Sequence, residues 1–222
     1  MRNYRLLPLL TLISALLAIV ALDGLGLPRE MGFIAKPLTT VLIILFAWPR
    51  GEDTPVMARR IRFGLLFSLG GDVFLLWPEQ GFLPGLLSFL LAHLCYIAAF
   101  CVPTRLARPL WPLLMFAAIA VMVLLKLWPG IAGDLRAPVV IYVACLATMA
   151  AQAWAWWRSA MGTAAEARAR LAAWGGTLFM FSDALIAINK FAVPLPYAAL
   201  LVLSSYWLAQ SFFTLSLEAP RR

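Results

Sequence analysis

Eight apolar stretches follow one another along the chain with only short breaks between them: Leu6–Leu22, Phe33–Trp48, Ile61–Trp77, Phe82–Val102, Leu110–Trp128, Val139–Trp157, Leu171–Asn189 and Leu195–Leu217. Each is close to the roughly 20 residues that a helix needs to cross a bilayer. The breaks carry residues that end helices or turn chains, among them Pro28, Pro49-Arg50-Gly51, Pro78 to Gly81, Pro103, Pro129-Gly130, Gly162, Pro194 and Pro196. Trp48, Trp77, Trp111, Trp128 and Trp157 fall at segment ends, where an interfacial aromatic belt puts them. The pattern predicts an all-α fold: a polytopic membrane protein built as a bundle of eight transmembrane helices, one transmembrane domain over residues 1–222. Composition excludes the alternatives. The chain is 64% hydrophobic and 13% charged, whereas soluble domains run at roughly half apolar and a quarter charged, and a disordered chain needs far more polarity.

Charge sets the expected orientation. Of the 18 Lys and Arg residues, 13 fall in the N-terminus, the second, fourth and sixth loops and the C-terminal tail, and five at the other ends of the segments. Positive charge marks the cytoplasmic side, so both termini are expected inside. The net charge of +8 is thereby an orientation signal, and no nucleic-acid partner is expected. Arg2, Arg5 and the run Ala18-Ile19-Val20-Ala21 loosely resemble a signal peptide; with seven further spans behind it, an uncleaved first helix is the expectation.

Cys95, Cys101 and Cys145 are odd in number, widely spaced and in or beside apolar segments, with no CxxC pair, so no disulfide framework is expected. A single histidine, His93, leaves too few ligands for a zinc centre. Neither a metal nor a cofactor is expected.

Chemistry is therefore sought among the polar residues inside the spans. Of ten acidic residues only Asp72 and Asp183 lie well within one. A carboxylate at the centre of a membrane helix costs about 2.5–3.5 kcal/mol on insertion scales, so each is a functional candidate, against the alternative that it only pins two helices together. Their surroundings rhyme, Leu66-Phe67-Ser68-Leu69-Gly70-Gly71-Asp72 against Leu178-Phe179-Met180-Phe181-Ser182-Asp183, with Tyr96 and Tyr206 following at 24 and 23 residues. Both are expected in the outward half of the membrane, roughly 8–10 Å from their helix ends, and the rhyme suggests a four-plus-four parallel repeat that brings two carboxylates toward one cavity.

Helical spacing supplies the company each carboxyl keeps. Ser68 lies one turn before Asp72, within hydrogen-bonding reach of it, and Gly70 and Gly71 permit a close helix approach. Gly85, Phe89, His93, Tyr96 and Phe100 share one face, Gly176, Met180, Asp183, Ala187 and Lys190 another, and Tyr206 and Gln210 stand one turn apart. Lys36 and Lys190, the latter beside Asn189, sit near outer helix ends, where snorkelling to the interface is the ordinary reading and a lipid phosphate would also find them. On these residues alone three classes stay open: an intramembrane enzyme, a proton-coupled carrier, and a non-catalytic lipid-binding protein.

The run Ser68-Leu69-Gly70-Gly71-Asp72-Val73-Phe74-Leu75, followed by Gly85, Phe89, His93 and Tyr96, resembles the first signature of the YhhN-like family of integral membrane proteins. Gly176-Thr177-Leu178-Phe179-Met180-Phe181-Ser182-Asp183, followed by Asn189-Lys190-Phe191, resembles the second, and Lys36-Pro37-Leu38, Tyr206 and Gln210 fit as well. The resemblance runs from about residue 30 to residue 215. It implies lysoplasmalogenase activity: hydrolysis of the vinyl-ether bond of 1-alkenyl lysophospholipids to a fatty aldehyde and a glycerophospho-alcohol, with no cofactor. It implies Asp72 and Asp183 as the catalytic pair, with Lys36, Ser68, His93, Tyr96, Ser182, Asn189, Lys190, Tyr206 and Gln210 as candidates for binding substrate. The implied partners are the lysophospholipid and the membrane lipids. The Ala-rich, Arg-over-Lys composition suggests a bacterial inner membrane. Vinyl ethers hydrolyse through protonation of the β-carbon and an oxocarbenium ion. One carboxyl that keeps its proton and a second that supplies negative charge suit that chemistry.

Overall fold

The computed structural model describes residues 6–219. Arg2 and Arg5 of the orientation tally, and Arg221 and Arg222 of the tail, lie outside the described residues. Within them there are eight α-helices and no strand: α1 Leu7–Leu22, α2 Arg29–Ala47, α3 Pro55–Phe74, α4 Phe82–Phe100, α5 Trp111–Leu127, α6 Gly133–Ala160, α7 Glu166–Phe191 and α8 Ala198–Leu215. A 3₁₀ turn, Trp128–Gly130, joins α5 to α6. By length and composition six of them (α2, α4, α5 with its following turn, α6, α7 and α8) are able to cross a membrane. The first helix has 16 residues, short of that length. The third carries Arg59, Arg60, Arg62 and Asp72 among its 20 residues.

Proline opens α1, α3 and α5, where its missing N–H is no loss and its fixed φ suits the first turn. The charged first turns of α3 explain why the helix begins at Pro55 and not at Ile61. Arg62 donates to the carbonyls of Ala47 (3.4 Å) and Arg50 (2.6 Å) at the end of α2, and Arg60 donates to Ala98 at the end of α4 (2.6 Å). These arginines satisfy the orphan carbonyls of two neighbouring helices and sit at the negative ends of their dipoles. On the same end of the bundle the buried Gln152 of α6 pins the loop after α4. Its amide donates toward Phe100, Thr104 and Arg105, and its oxygen accepts from Ala107 at 3.0 Å.

Close packing rests on small residues, as expected where lipid offers no hydrophobic drive between helices. A side chain at Gly64, Gly70 or Gly71 of α3 would collide with Tyr96, Ser88 or Phe89 of α4. At Gly176 of α7 it would meet the backbone of Ala150, which lies in an Ala-rich stretch of α6. The expected close approach at Gly70-Gly71 is therefore made, and its partner is α4.

At the opposite end one side chain links the first helix to the last. Asp23, just past α1, accepts from the backbone N–H groups of Ala199 (2.9 Å) and Leu200 (2.8 Å) in the first turn of α8. Tyr197 leads into that helix in the left-handed region, at φ +51°, and makes no cap of its own. Asp23→Ala is expected to cost about 1–2 kcal/mol, the loss of a helix cap, and to lower the melting temperature in detergent more than Asp23→Asn does; equal melting temperatures for Asp23→Ala and the parent chain would refute the cap.

Candidate functional site

Asp72 is 1% exposed, two residues from the end of α3. Its Oδ2 accepts from Thr40 of α2 (2.6 Å) and from the Tyr206 hydroxyl of α8 (2.9 Å), while the Lys36 ammonium of α2 stands 3.9 Å from Oδ1. Thr40 in turn accepts from the Trp207 indole at 3.2 Å. Lys36, only 7% exposed, does not snorkel outward as an isolated membrane lysine would. It points inward, and Lys36 and Thr40, one turn apart on α2, grip the carboxyl together. Ser68 does not reach Asp72. It lies on the Gly64–Gly71 face that packs on α4, and its hydroxyl pairs with Tyr96 at 3.3 Å. Tyr96 donates onward to Gln210 of α8 at 2.7 Å.

Asp183 has a different environment. Its carboxyl is only partly buried and lines a cavity of about 360 Å³ enclosed by α4, α5, α6 and α7. Phe89, Phe116, Met180 and Phe191 typify the walls, and Asp183 is the single charged residue among those lining it. The Tyr142 hydroxyl of α6 donates a hydrogen bond to Asp183. The third polar group on the wall, Thr177, is already engaged, donating to Ala173 and accepting from Trp154. The polar focus of an otherwise greasy chamber is thus one carboxyl and one phenol.

No hydrogen bond or ion pair joins the two aspartates. Between them stands an aromatic partition. Tyr206, which holds Asp72, meets Phe89 and Phe179 edge-on at 5.8 and 5.4 Å between centroids, and Phe89 forms the cavity wall on its other side. His93 completes the partition, fully buried, its ring 4.8 Å from Phe179 and 5.1 Å from Tyr142, with both nitrogens unpartnered. It touches neither carboxyl. The two also sit differently in their own helices: Asp72 lies two residues before the end of α3 and Asp183 eight before the end of α7, so about 3 Å of helix follows one and about 12 Å the other.

The remaining candidates divide. Ser182 faces α8 and donates to the Val202 carbonyl at 3.0 Å, a contact between helices. Asn189 accepts from the Leu195 N–H at 2.8 Å and closes the α7–α8 loop. Lys190 is exposed, its ammonium 4.2 Å from the centre of the Phe82 ring, which lines the cavity. Three contributors were not singled out from sequence: Thr40, Tyr142 and Trp207. Each has a sequence signal in hindsight. Thr40 stands at i+4 from Lys36, and a Tyr or Trp buried in an apolar run needs a partner for its polar tip. Among the described residues no group of three or more His, Cys, Asp or Glu could hold a metal ion.

The YhhN family's profile matches residues 31–217, nearly the whole described chain. The chain belongs to the YhhN family. A relative named lysoplasmalogenase TMEM86A, from Homo sapiens, is 40% identical over 74% of this chain and 67% of its own length. The Bos taurus protein of the same name is 34% identical over 87% and 81%. Lysoplasmalogenase TMEM86B of Sus scrofa is 36% identical over 87% and 79%. No solved structure matches the chain. In this YhhN-family protein the two signature stretches contribute the aspartates from α3 and α7, and the Lys36-Pro37-Leu38 stretch contributes the cation that faces Asp72.

Removing one partner of a buried ion pair leaves a charge without compensation and costs about 3–5 kcal/mol. Lys36→Met is therefore expected to melt well below the parent chain, and the double variant Lys36→Met, Asp72→Asn to recover part of that loss. A double variant no more stable than Lys36→Met alone would argue that the pair does not carry the energy assigned to it.

Proposed function

We propose that this chain is an integral membrane hydrolase of the lysoplasmalogenase type. It cleaves the vinyl-ether bond of 1-alkenyl lysophospholipids, releasing a fatty aldehyde and glycerophosphoethanolamine or glycerophosphocholine. The relatives' names support the reaction class. The observation that carries the reading to this chain is the apolar cavity whose polar focus is Asp183 with Tyr142. An alkenyl chain needs hydrocarbon-like walls, and a vinyl ether needs a single well-placed acid.

In this proposal Asp183 gives its proton to the β-carbon of the vinyl ether, and the double-bond electrons form the new C–H bond. The adjacent carbon and the ether oxygen then share the positive charge of an oxocarbenium ion. The Asp183 carboxylate stabilises that ion and takes a proton from the water that attacks it. The resulting hemiacetal collapses: the bond from the former vinyl carbon to the glycerol oxygen breaks, the hydroxyl becomes the aldehyde, and the glycerol oxygen leaves with the proton. One water is consumed and no electron acceptor is required. Tyr142 holds the Asp183 carboxyl toward the cavity. Asp72, behind Phe89 and Tyr206, adds fixed negative charge on the far side of the partition and secures the helices that form it.

The same reading takes all eight helices as spans in a bacterial inner membrane, with both termini cytoplasmic. Supporting it are the arginines Arg50, Arg59, Arg60, Arg62, Arg105, Arg108, Arg158, Arg168 and Arg170, which fall in the loops or within eight residues of a helix terminus at one end of the bundle. The lining of the cavity reaches the other end of the bundle at Phe82, the first residue of α4, and Phe191, the last of α7. A four-plus-four repeat forms no part of this reading, since the two aspartates differ in partners.

Detergent-purified protein is expected to release fatty aldehyde from 1-alkenyl lysophosphatidylethanolamine and no fatty acid from the 1-acyl lipid, both followed by mass spectrometry. Asp183→Asn and Asp72→Asn should each lower turnover at least about 100-fold, the scale of a lost general acid or its electrostatic support, while remaining monodisperse on size exclusion. Near-parental turnover by Asp183→Asn would remove the acid from the mechanism, and fatty acid from the acyl lipid would replace the reaction.

A further inference from the structure

Lys190 stands two helical turns beyond Asp183 on the same face of α7. Seven residues at 100° each return to within about 20° of the starting direction, and the rise is about 10 Å. The ammonium lies 4.2 Å from the ring of Phe82, which meets Phe191 edge-on at 5.8 Å; both rings line the cavity. No carboxylate pairs with Lys190 among the described residues, and the side chain is exposed. Inward from Asp183 the cavity continues along α7 to Thr177, six residues or about 9 Å. Along α7 these groups therefore run in a line: a free cation near the helix end, an acid about 10 Å of helix rise further in, and apolar lining beyond it.

A 1-alkenyl lysophospholipid has the same layout. From its vinyl β-carbon to its phosphorus run seven bonds of about 1.5 Å, which span about 9 Å when extended in zigzag. Other cations at this end are less suited. Arg136 is folded over the Trp128 ring and donates to the Ile131 carbonyl, and Lys126 belongs to α5 and not to the helix that carries Asp183.

Building on the hydrolase reading, we propose that Lys190 holds the phosphate of the lysophospholipid and that its two-turn separation from Asp183 sets the register in which the vinyl β-carbon meets the acid. The site is thus selective for a phosphate-bearing 1-alkenyl glycerolipid over the phosphate-free 1-alkenylglycerol. The head of the lipid stays at the interface while the first methylenes of the alkenyl tail enter the pocket below Asp183.

The test compares the parent chain, Lys190→Gln and Lys190→Arg on 1-alkenyl lysophosphatidylethanolamine and on 1-alkenylglycerol. Binding of the non-cleavable 1-O-alkyl lysophosphatidylethanolamine is followed in parallel by tryptophan fluorescence. Lys190→Gln is expected to raise KM for the phospholipid about tenfold, the scale of one lost charge-assisted hydrogen bond, with kcat changed much less. The preference for the phospholipid over 1-alkenylglycerol should fall by the same factor, the alkyl analogue should bind correspondingly more weakly, and Lys190→Arg should restore both. An unchanged preference and an unchanged affinity for the alkyl analogue in Lys190→Gln would overturn the proposal. So would equal losses on both lipids, which would mean a packing role against Phe82. If the parent chain cleaves neither lipid but binds the alkyl phospholipid in a Lys190-dependent way, the hydrolase reading falls and the phosphate site stands. If the parent chain binds no phospholipid, the phosphate site falls.

Discussion

A carboxyl group buried to 1% exposure inside an apolar bundle is tolerated only when donors surround it, and Asp72 draws its donors from helices far apart in the chain. Lys36 and Thr40 reach it from α2 and Tyr206 from α8, with Trp207 of α8 steadying Thr40. The knot thereby joins the second, third and last helices at one depth. Tyr206 passes the constraint on, because its ring packs against Phe89 and Phe179, and Phe89 is the back wall of the cavity. The shape of the chamber in front of Asp183 therefore depends on how Asp72 is held behind it.

The division of labour between the two aspartates follows from this arrangement. Asp72 accepts two hydroxyl donors and faces an ammonium, the surroundings of a fixed anion. Asp183 has one donor, the Tyr142 hydroxyl, and a side that faces the apolar cavity. One group is immobilised and screened from the cavity by aromatic rings, and the other is presented to it. Two similar sequence stretches thus come to unlike surroundings because their helices meet different neighbours.

That difference also explains what the amino-acid sequence made legible. The helical segments, the isolation of Asp72 and Asp183 among loop carboxylates, and the shared face of Gly85, Phe89, His93, Tyr96 and Phe100 all follow from periodicity within one helix. Contacts between helices do not, since the register of one helix on another is set by packing at Gly64, Gly71 and Gly176. For that reason Lys36 read as a snorkelling lysine when it is a buried partner, Ser68 read as a partner of Asp72 when it faces Tyr96, and Tyr142 went unnoticed. The start of α3 was misplaced for a related reason. Arg59, Arg60 and Arg62 look like loop residues until the ends of α2 and α4 are seen to offer Arg60 and Arg62 their carbonyls.

Protonation of carbon, the step given to Asp183 in the proposed mechanism, separates vinyl-ether hydrolysis from every ester or phosphate cleavage that a lysophospholipid could undergo. Turnover of 1-alkenyl lysophosphatidylethanolamine in heavy water reads that step directly. The account predicts an aldehyde carrying one deuterium on the carbon next to its carbonyl, placed there as the vinyl ether is protonated. An aldehyde with no deuterium at that carbon, or a product that keeps its vinyl ether intact, would contradict it.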